Sequence, residues 1–595
     1  MLQSPTQFCV RDAGGRVSSD DRTTSHEEGP PLNTEHSVHR RDFLKQTSLL
    51  TVAGVFGCES DAYHSAESDA GILPADGGTR TEDIFVGDDG AGAPEDTGSP
   101  PDTGPPDIAE YEFDGVLGPE TMFSHGVASG DPLANAVILW TRVSSGETNS
   151  VDVWWEISLT PDFSWRVASG SFTTNEARDY TVKVDVTGLD AETTYFYRFF
   201  AQGRESMTGR TRTAGSGAMA RARFAVASCS NYARGYFTAY RNIAQRSDLD
   251  AVLHLGDYIY EYAGGSIPGR AHMPAKEIIT LDEYRQRYAQ YRSDPDLQEA
   301  HRQHPFIVVW DDHESSNNSW KNGAANHNPA TEGAWQARKS AAVQAYHEWQ
   351  PIREQSDYRI FRKFKYGDLL DLIMLDTRLF GRDQQINAED LDLVNDPTRS
   401  LLGAEQEQWL SQQLLESTAQ WTFIGQQVVL FPLQAAGVVL NNDQWDAYQP
   451  SRDRFFDAIE DGARENVVVL TGDIHSSWAS QCPRNADTWE NGAGALAVEF
   501  VTPGITSGSG FDPGLVYLAQ QLNPHIAYGD VQYNGYMVID VTPDRTQAAW
   551  FHFDTVFSPE GIETFSKAYS VYAGSRQLEE DDLPISGESD RPIAP

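Results

Sequence analysis

The chain has 595 residues, 39% of them apolar and 11% aromatic, with 14 tryptophans. That is enough for two or three folded domains and a large core. Its formal net charge of −42 excludes nucleic-acid recognition through a basic surface and attachment to anionic lipid through a basic patch. A site for phosphate would therefore need local positive charge, from metal ions or clustered arginines.

The stretch His39–Cys58, HRRDFLKQTSLLTVAGVFGC, pairs Arg40 and Arg41 with Phe43, Leu44 and Lys45 ahead of a modestly apolar run. This is the pattern of a twin-arginine export signal, and the run is too short to span a membrane. Val-Phe-Gly-Cys at its end resembles a bacterial lipobox, with Cys58 as the residue for lipid attachment; ordinary cleavage nearby, giving a soluble protein, is the alternative. Residues 1–58 are thus read as a leader handled by the twin-arginine machinery. The expected destination is the periplasm, the cell surface or the medium. Residues 59–112 carry fifteen acidic side chains and one arginine among repeated Pro, Gly, Ser and Asp. Such a segment buries too little apolar surface to order itself and reads as a tether.

Residues 113–218 show short alternating runs, AVILWTRV, VDVWWEIS, YTVKVDVTG and TYFYRFFA, separated by turn residues. They predict a small Ig- or fibronectin-like β-sandwich with no chemistry of its own. From 219 to 575 the pattern changes to an α/β one. The runs RFAVASCS, AVLHLGDY, PFIVVWDDHE, LLDLIMLDTR, TFIGQQVV and NVVVLTGDIHSS alternate with helical stretches such as LDEYRQRYAQYR and EQEQWLSQQLLES. Strands this uniformly apolar are buried on both faces. Residues 576–595 read as a polar tail.

Each of these runs stops at reactive side chains, and α/β folds bind ligands beyond the carboxyl ends of their strands. The ends offer Cys229; Asp257 and Tyr260; Asp311, Asp312, His313, Glu314 and Asn317; Asp376, Arg378 and Arg382; Gln426 and Gln427; and Asp473 with His475. Singly, a buried cysteine is a small hydrophobe and an aspartate after a strand caps the next helix. Together, so many acidic groups need cations to offset their repulsion. Asp257 can bridge two ions, and Tyr260 three residues on can reach the same side. Phenolate and thiolate form from groups with pKa near 10 and 8.5, which Fe³⁺ drives far better than Ca²⁺. Tyr260 and Cys229 therefore predict an iron site, and the remaining carboxylates and amides suit Ca²⁺ or Mg²⁺. A disulfide between Cys229 and Cys482 is the rival reading of the thiol.

The segments FSHGVASGDPLANAVILWTRV, FAVASCSN, DLDAVLHLGDYIYEY, YRSDPDLQEAH, VVWDDHE, LDTR, GDIHSSW, EFVTPGITS and NPHIAY, between about Phe123 and Val556, resemble the PhoD-like family of secreted alkaline phosphatases and phosphodiesterases. That family lies within the calcineurin-like metallophosphatases. GDYIY also matches their Gly-Asp-x-x-Tyr metal motif, whereas DDHE puts Asp312 where related enzymes carry Asn. The resemblance implies a four-layer α/β/β/α catalytic domain using Fe³⁺ and Ca²⁺. It implies Cys229, Asp257 and Tyr260 on iron, with His475 a further candidate. Asp257 would bridge to calcium, aided by some of Asp312, Asn317, Asp473 and His475.

The expected reaction is hydrolysis of phosphate mono- or diesters by metal-activated water. His313 is the candidate to protonate the leaving alkoxide or hold the phosphate. Arg270, Arg378 and Arg382 are candidate clamps on phosphoryl oxygens, and His525 is a candidate substrate contact. A narrow phosphodiesterase or phospholipase D-like enzyme is the alternative activity, and a surface-binding protein with a decayed metallophosphatase fold is the alternative class.

Overall fold

The computed structural model describes residues 122–595, except 145–148, 387–389, 436–437, 487–488 and 490–493. The export signal, Cys58 and the acidic linker lie outside the described residues.

The strands are β1 (Val127–Leu133), β2 (Ala136–Arg142), β3 (Val151–Ser158), β4 (Arg166–Thr174), β5 (Thr181–Thr187), β6 (Thr194–Ala201), β7 (Arg204–Glu205), β8 (Gly209–Arg212), β9 (Ala222–Ala227), β10 (Ala251–His254), β11 (Pro305–Val308), β12 (Arg362–Tyr366), β13 (Leu370–Met374), β14 (Trp421–Gly425), β15 (Gln434–Ala435), β16 (Val438–Val439), β17 (Val467–Thr471), β18 (Ser477–Pro483), β19 (Ala495–Val501), β20 (Ile526–Asp530), β21 (Asn534–Val541), β22 (Arg545–Phe553), β23 (Glu563–Tyr572) and β24 (Glu579–Asp581). One sheet runs β24-β23-β22-β21-β9-β10-β11-β1-β2-β5, and a second runs β12-β13-β14-β17-β19-β18-β20. Strands β9, β10 and β11 are mutually parallel, as are β13, β14, β17 and β19. All of these but β19 are the apolar runs picked out by their composition.

The two sheets pack face to face. In the second, Leu370, Leu372, Phe423, Val468, Leu470 and Phe500 turn toward the first sheet and share its core. Their neighbours Ile373, Ile424, Val467 and Val469 turn the other way, against Leu410, Leu414, Phe455 and Phe456 of the helices Ala404–Glu416 and Gln449–Asp461. Period-two alternation thus gives each strand of the second sheet two apolar faces. The helices Thr238–Gln245, Leu281–Arg292 and Trp335–Trp349 contribute to the core of the first sheet. The result is the expected α/β/β/α layering.

The β-sandwich is present but is not a separate module. Its strands β3, β4, β6, β7 and β8 form one sheet, while β1, β2 and β5 extend the catalytic sheet through parallel pairing of β1 with β11. Val137 and Leu139 of β2 face the sandwich core, whereas Trp140 enters the catalytic core. Its indole donates to the Glu348 carbonyl at 2.9 Å.

The polar tail is also docked. Ile585 is buried, Arg246 donates to the Ser586 carbonyl at 2.7 Å, and Arg591 pairs with Asp250 at 3.0 Å. Ala594 packs against Phe163 and Phe196 of the sandwich side, and its N–H donates to Gln303. The tail therefore straps the two halves together, at the end of the sheets remote from the reactive strand ends. Deletion of residues 582–595 removes two buried aliphatic side chains, Ile585 and Ala594, and several hydrogen bonds, worth about 2–4 kcal/mol together. A clear drop in thermal midpoint by calorimetry is expected; an unchanged midpoint would show that the strap contributes nothing.

Candidate metal centre

The reactive side chains follow their strands within a few residues and converge where the carboxyl ends of the two sheets meet. Cys229 follows β9, Asp257 follows β10, and Asp311–Glu314 follow β11; Arg378 follows β13, and Asp473 with His475 follow β17. Four of them take left-handed backbone conformations: Cys229 (φ 58°), Asp257 (55°), Asp473 (65°) and His475 (54°). Each costs an L-residue about 1–2 kcal/mol, and such strain concentrates at functional sites. It turns the chain sharply off the strand and aims each side chain into a common space. Gly256 lets β10 do this: at φ 107° a Cβ would lie 2.4 Å from that of Asp311.

Three sets of donor atoms lie within 4.8 Å of one another: Cys229, Asp257 and His475; Asp257, Asp312 and His313; and Asp311, Asp312 and Asp473. Asp257 and Asp312 each belong to two sets, so the sets form one connected cluster. Tyr260 sits at its first end. Its hydroxyl donates to Asp257 Oδ2 at 2.9 Å, lies 3.2 Å from His475 Nε2 and accepts from Ser507 at 2.7 Å. His475 Nδ1 is 3.2 Å from the Gly508 carbonyl, which fixes that nitrogen as the donor and turns Nε2 inward.

The electrostatics of the cluster suit a bound cation. Burial first, then Asp257, pushes both the Cys229 thiol and the Tyr260 phenol well above their ordinary pKa values. Burial likewise raises Asp473 to about 6 and Asp311 well above the carboxylate range, despite the charge of Arg378. As protein alone the Cys229 thiol and the Tyr260 phenol would hold their protons; a strongly Lewis-acidic ion displaces them. A thiol, a phenol, a carboxylate and an imidazole in one pocket therefore fit a metal, and fit little else.

Cys229 and Cys482 are both free thiols, so the disulfide reading is overturned. Cys482 lies on β18 and is 3.8 Å from Glu499 in the core behind the second sheet.

The arginines differ from expectation. Arg378 is fully buried and pairs with Asp311, with Asp443 at 2.6 Å and with Asp473 at 2.6 Å. Arg382, equally buried, pairs with Asp443 at 2.6 Å. These guanidiniums compensate carboxylates and are not free clamps for phosphoryl oxygens. Arg270 pairs with Asp294 at 2.7 Å and lies over the Tyr232 ring, so it too is engaged by protein. His525 is buried with Nε2 2.7 Å from the Pro432 carbonyl, bonded to protein rather than to the cluster. The Asn317 backbone N–H donates to Glu261 at 2.7 Å, and its neighbour Asn318 donates to Asp312 at 2.6 Å. Asn317 thus borders the cluster.

Several supporting residues escaped the sequence reading. Glu261 Oε2 is 2.7 Å from His313 Nδ1. It lies four residues after Asp257 in the same polar stretch, so proximity to the motif was its only signal. Glu314, which the sequence already offered at its strand end, accepts the backbone N–H groups of Asp257, Tyr258 and Asp311 and so ties two of the strand-end turns together. Asp443 and Gln444 arrive on a loop that no strand end announces, and Gln444 donates to Asp473 at 2.6 Å.

His313 stacks on Tyr260 with ring centroids 4.3 Å apart. Burial would lower its pKa, but Asp312, Glu261 and Asp257 together outweigh burial and raise it well above 6.5. A folded-state pKa raised in this way gives stability that is complete below the unfolded value and is lost as pH rises through the folded one. In the metal-free protein, Glu261→Gln should therefore move the His313 imidazole titration, read by NMR, to lower pH and trim stability on the acid side. An unmoved titration would contradict this role for Glu261.

The model of the PhoD-like phosphatase family matches residues 224–550, and that of its N-terminal domain matches residues 117–215. Alkaline phosphatase D of Bacillus subtilis (strain 168) is 38% identical over 477 residues, covering 76% of this chain and 80% of that protein. A solved structure of PhoD superposes with a TM-score of 0.72 at 33% identity, covering 80% of this chain and 94% of the other. The catalytic match spans every strand-end ligand group described above, and the chain belongs to the PhoD-like phosphatase family.

Proposed function

We propose that the cluster hydrolyses phosphate esters with two kinds of cation, Fe³⁺ at the Cys229–Tyr260 end and Ca²⁺ at the Asp312 end. Family membership makes the chain a phosphoric ester hydrolase of alkaline phosphatase type. The observation that carries the metal assignment is the Tyr260 hydroxyl beside Asp257 and His475, at the Cys229 pocket. Carboxylates alone would hold Ca²⁺ or Mg²⁺; a phenol and a thiol in the same set select iron.

Cys229, Asp257, Tyr260 and His475 would hold iron, with Asp257 shared toward calcium. Asp312 and Asp473 would hold calcium, with Asn317 at its border. Ions so held supply Lewis-acid polarisation of the phosphoryl oxygens and a water acidified for attack. The protein's own part is orientation and proton transfer. Glu261 holds the His313 ring through Nδ1, leaving Nε2 for the substrate, where a protonated imidazole can donate to the departing alkoxide. Arg378 holds Asp473 and Asp311 in place and limits the repulsion among them. The leader, with its lipobox-like Cys58, supports export by the twin-arginine route.

The purified protein should contain iron and calcium and show a visible tyrosinate charge-transfer band. Tyr260→Phe should abolish that band, and Cys229→Ser should shift it with loss of iron. An active, colourless protein containing only zinc or calcium would overturn the assignment.

His313→Ala should lower kcat by about 10²–10⁴-fold, in the range of general acid–base contributions, with iron content unchanged. Comparable kcat/KM on mono- and bis-p-nitrophenyl phosphate would indicate a general phosphatase. Activity confined to the diester would favour the phosphodiesterase reading.

A further inference from the structure

Strand β19 ends at Val501, and the segment after it, Thr502–Gly508, holds no carboxylate, imidazole or thiol. It nevertheless meets the Cys229 end of the cluster at three points. The backbone N–H groups of Thr506 and Ser507 donate to the Cys229 carbonyl at 3.4 and 3.2 Å. The Gly508 carbonyl lies 3.2 Å from His475 Nδ1, and the Ser507 hydroxyl donates to the Tyr260 oxygen at 2.7 Å. One short loop thus touches three of the four side-chain donors Cys229, Asp257, Tyr260 and His475 or the backbone that carries them.

The loop is itself fixed from several sides. Asn534, the first residue of β21, donates through Nδ2 to the carbonyls of Gly504 at 2.9 Å and Ser507 at 2.7 Å. The Ile505 N–H donates to the Ser228 carbonyl at 2.9 Å, and the Thr506 hydroxyl to that of Asn231 at 2.8 Å. At Gly504 a Cβ would lie 2.5 Å from the Ser507 carbonyl oxygen and 3.3 Å from the Cys229 Cβ, so the close approach of loop and thiol needs glycine there. Ser507 is buried, which shields its hydroxyl from competing water.

Ser507 meets a different kind of group from the backbone contacts beside it. Asp257 accepts from the Tyr260 hydroxyl. His475, with Nδ1 as the donor to Gly508, turns a lone pair at Nε2 toward the same oxygen and cannot donate to it. Among the described residues Ser507 is therefore the side chain that donates to the Tyr260 oxygen. A bond of this kind strengthens when its acceptor carries negative charge. We propose that Ser507 is a positioning residue for Tyr260, whose hydroxyl fixes the phenol oxygen in the pocket and draws electron density from it when that oxygen holds a cation. The proposal rests on the reading of this end of the cluster as an iron site, and goes beyond it by giving the ligand a partner that tunes it.

The test compares the iron-loaded unaltered protein with Ser507→Ala and Ser507→Thr, by visible spectrum and by competition with an iron chelator. In Ser507→Ala the tyrosinate band should move to longer wavelength, because an oxygen relieved of a hydrogen bond holds its electrons less tightly. Iron should also be held about 10–100-fold more weakly, the usual effect of removing a group that supports a metal ligand. Ser507→Thr keeps the hydroxyl and should restore both the band and the affinity. Thermal midpoints of the three metal-free proteins should agree within about 2–4 °C, the effect of one hydrogen bond. An unmoved band in Ser507→Ala, even with iron lost, would overturn the proposal by making Ser507 a packing residue. A shifted band that threonine fails to restore would overturn it too, since the hydroxyl would not be the cause. An unaltered protein that binds no iron, or binds it without a visible band, would instead overturn the iron reading and the role of Ser507 with it.

Discussion

Arg378 meets Asp311, Asp443 and Asp473 at the junction of the two sheets with no exposed surface, and the compensation of buried negative charge there governs the whole site. An unpaired carboxylate in such a place either takes a proton or costs several kcal/mol. Arg382 extends the network by holding Asp443 from its other side. This pairing fixes the Asp311–Asp473 end of the cluster. The opposite end has no such arginine among its described neighbours: Cys229, Asp257, Tyr260 and His475 face one another. One end is balanced by arginine from within the protein, and the other gathers the residues that could hold a cation.

That division explains why a protein of charge −42 can handle an anion. Its arginines at the site do not reach for the substrate, since Arg270, Arg378 and Arg382 are all spent on carboxylates. Positive charge for a phosphoryl group is thus not left over on these three arginines. The expectation of arginine clamps failed because a guanidinium placed among buried aspartates gains far more from them than from waiting for a transient ligand.

The scaffold delivers these groups by turning sharply at the strand ends. Left-handed residues at Cys229, Asp257, Asp473 and His475 would be unfavourable anywhere that packing did not hold them. Here Glu314 binds three backbone N–H groups of adjoining turns, and the parallel strands behind them are buried on both faces. The β-sandwich widens the same frame, since β1 pairs with β11, the strand that leads into Asp311–His313. A segment without chemistry of its own thus supports a strand that carries the chemistry.

Much of this was legible in the residues themselves. The apolar runs marked the parallel strands because burial on both faces demands continuous hydrophobicity, and their last residues marked the donors. Tyr260 three residues after Asp257 was legible as a neighbour of that carboxylate, because a turn after the strand brings the two side chains together. The parts that stayed hidden depend on contacts between distant segments. Sequence spacing cannot show that Arg378 is enclosed by aspartates 65 to 95 residues away, or that Cys482 faces Glu499 rather than Cys229. Nor can it show that Glu261 steadies His313, or that Asp443 and Gln444 arrive on an unmarked loop. The chemistry of each strand end is a local property of the chain; which charges meet, and which are left for a metal, is settled only when the two sheets close on each other.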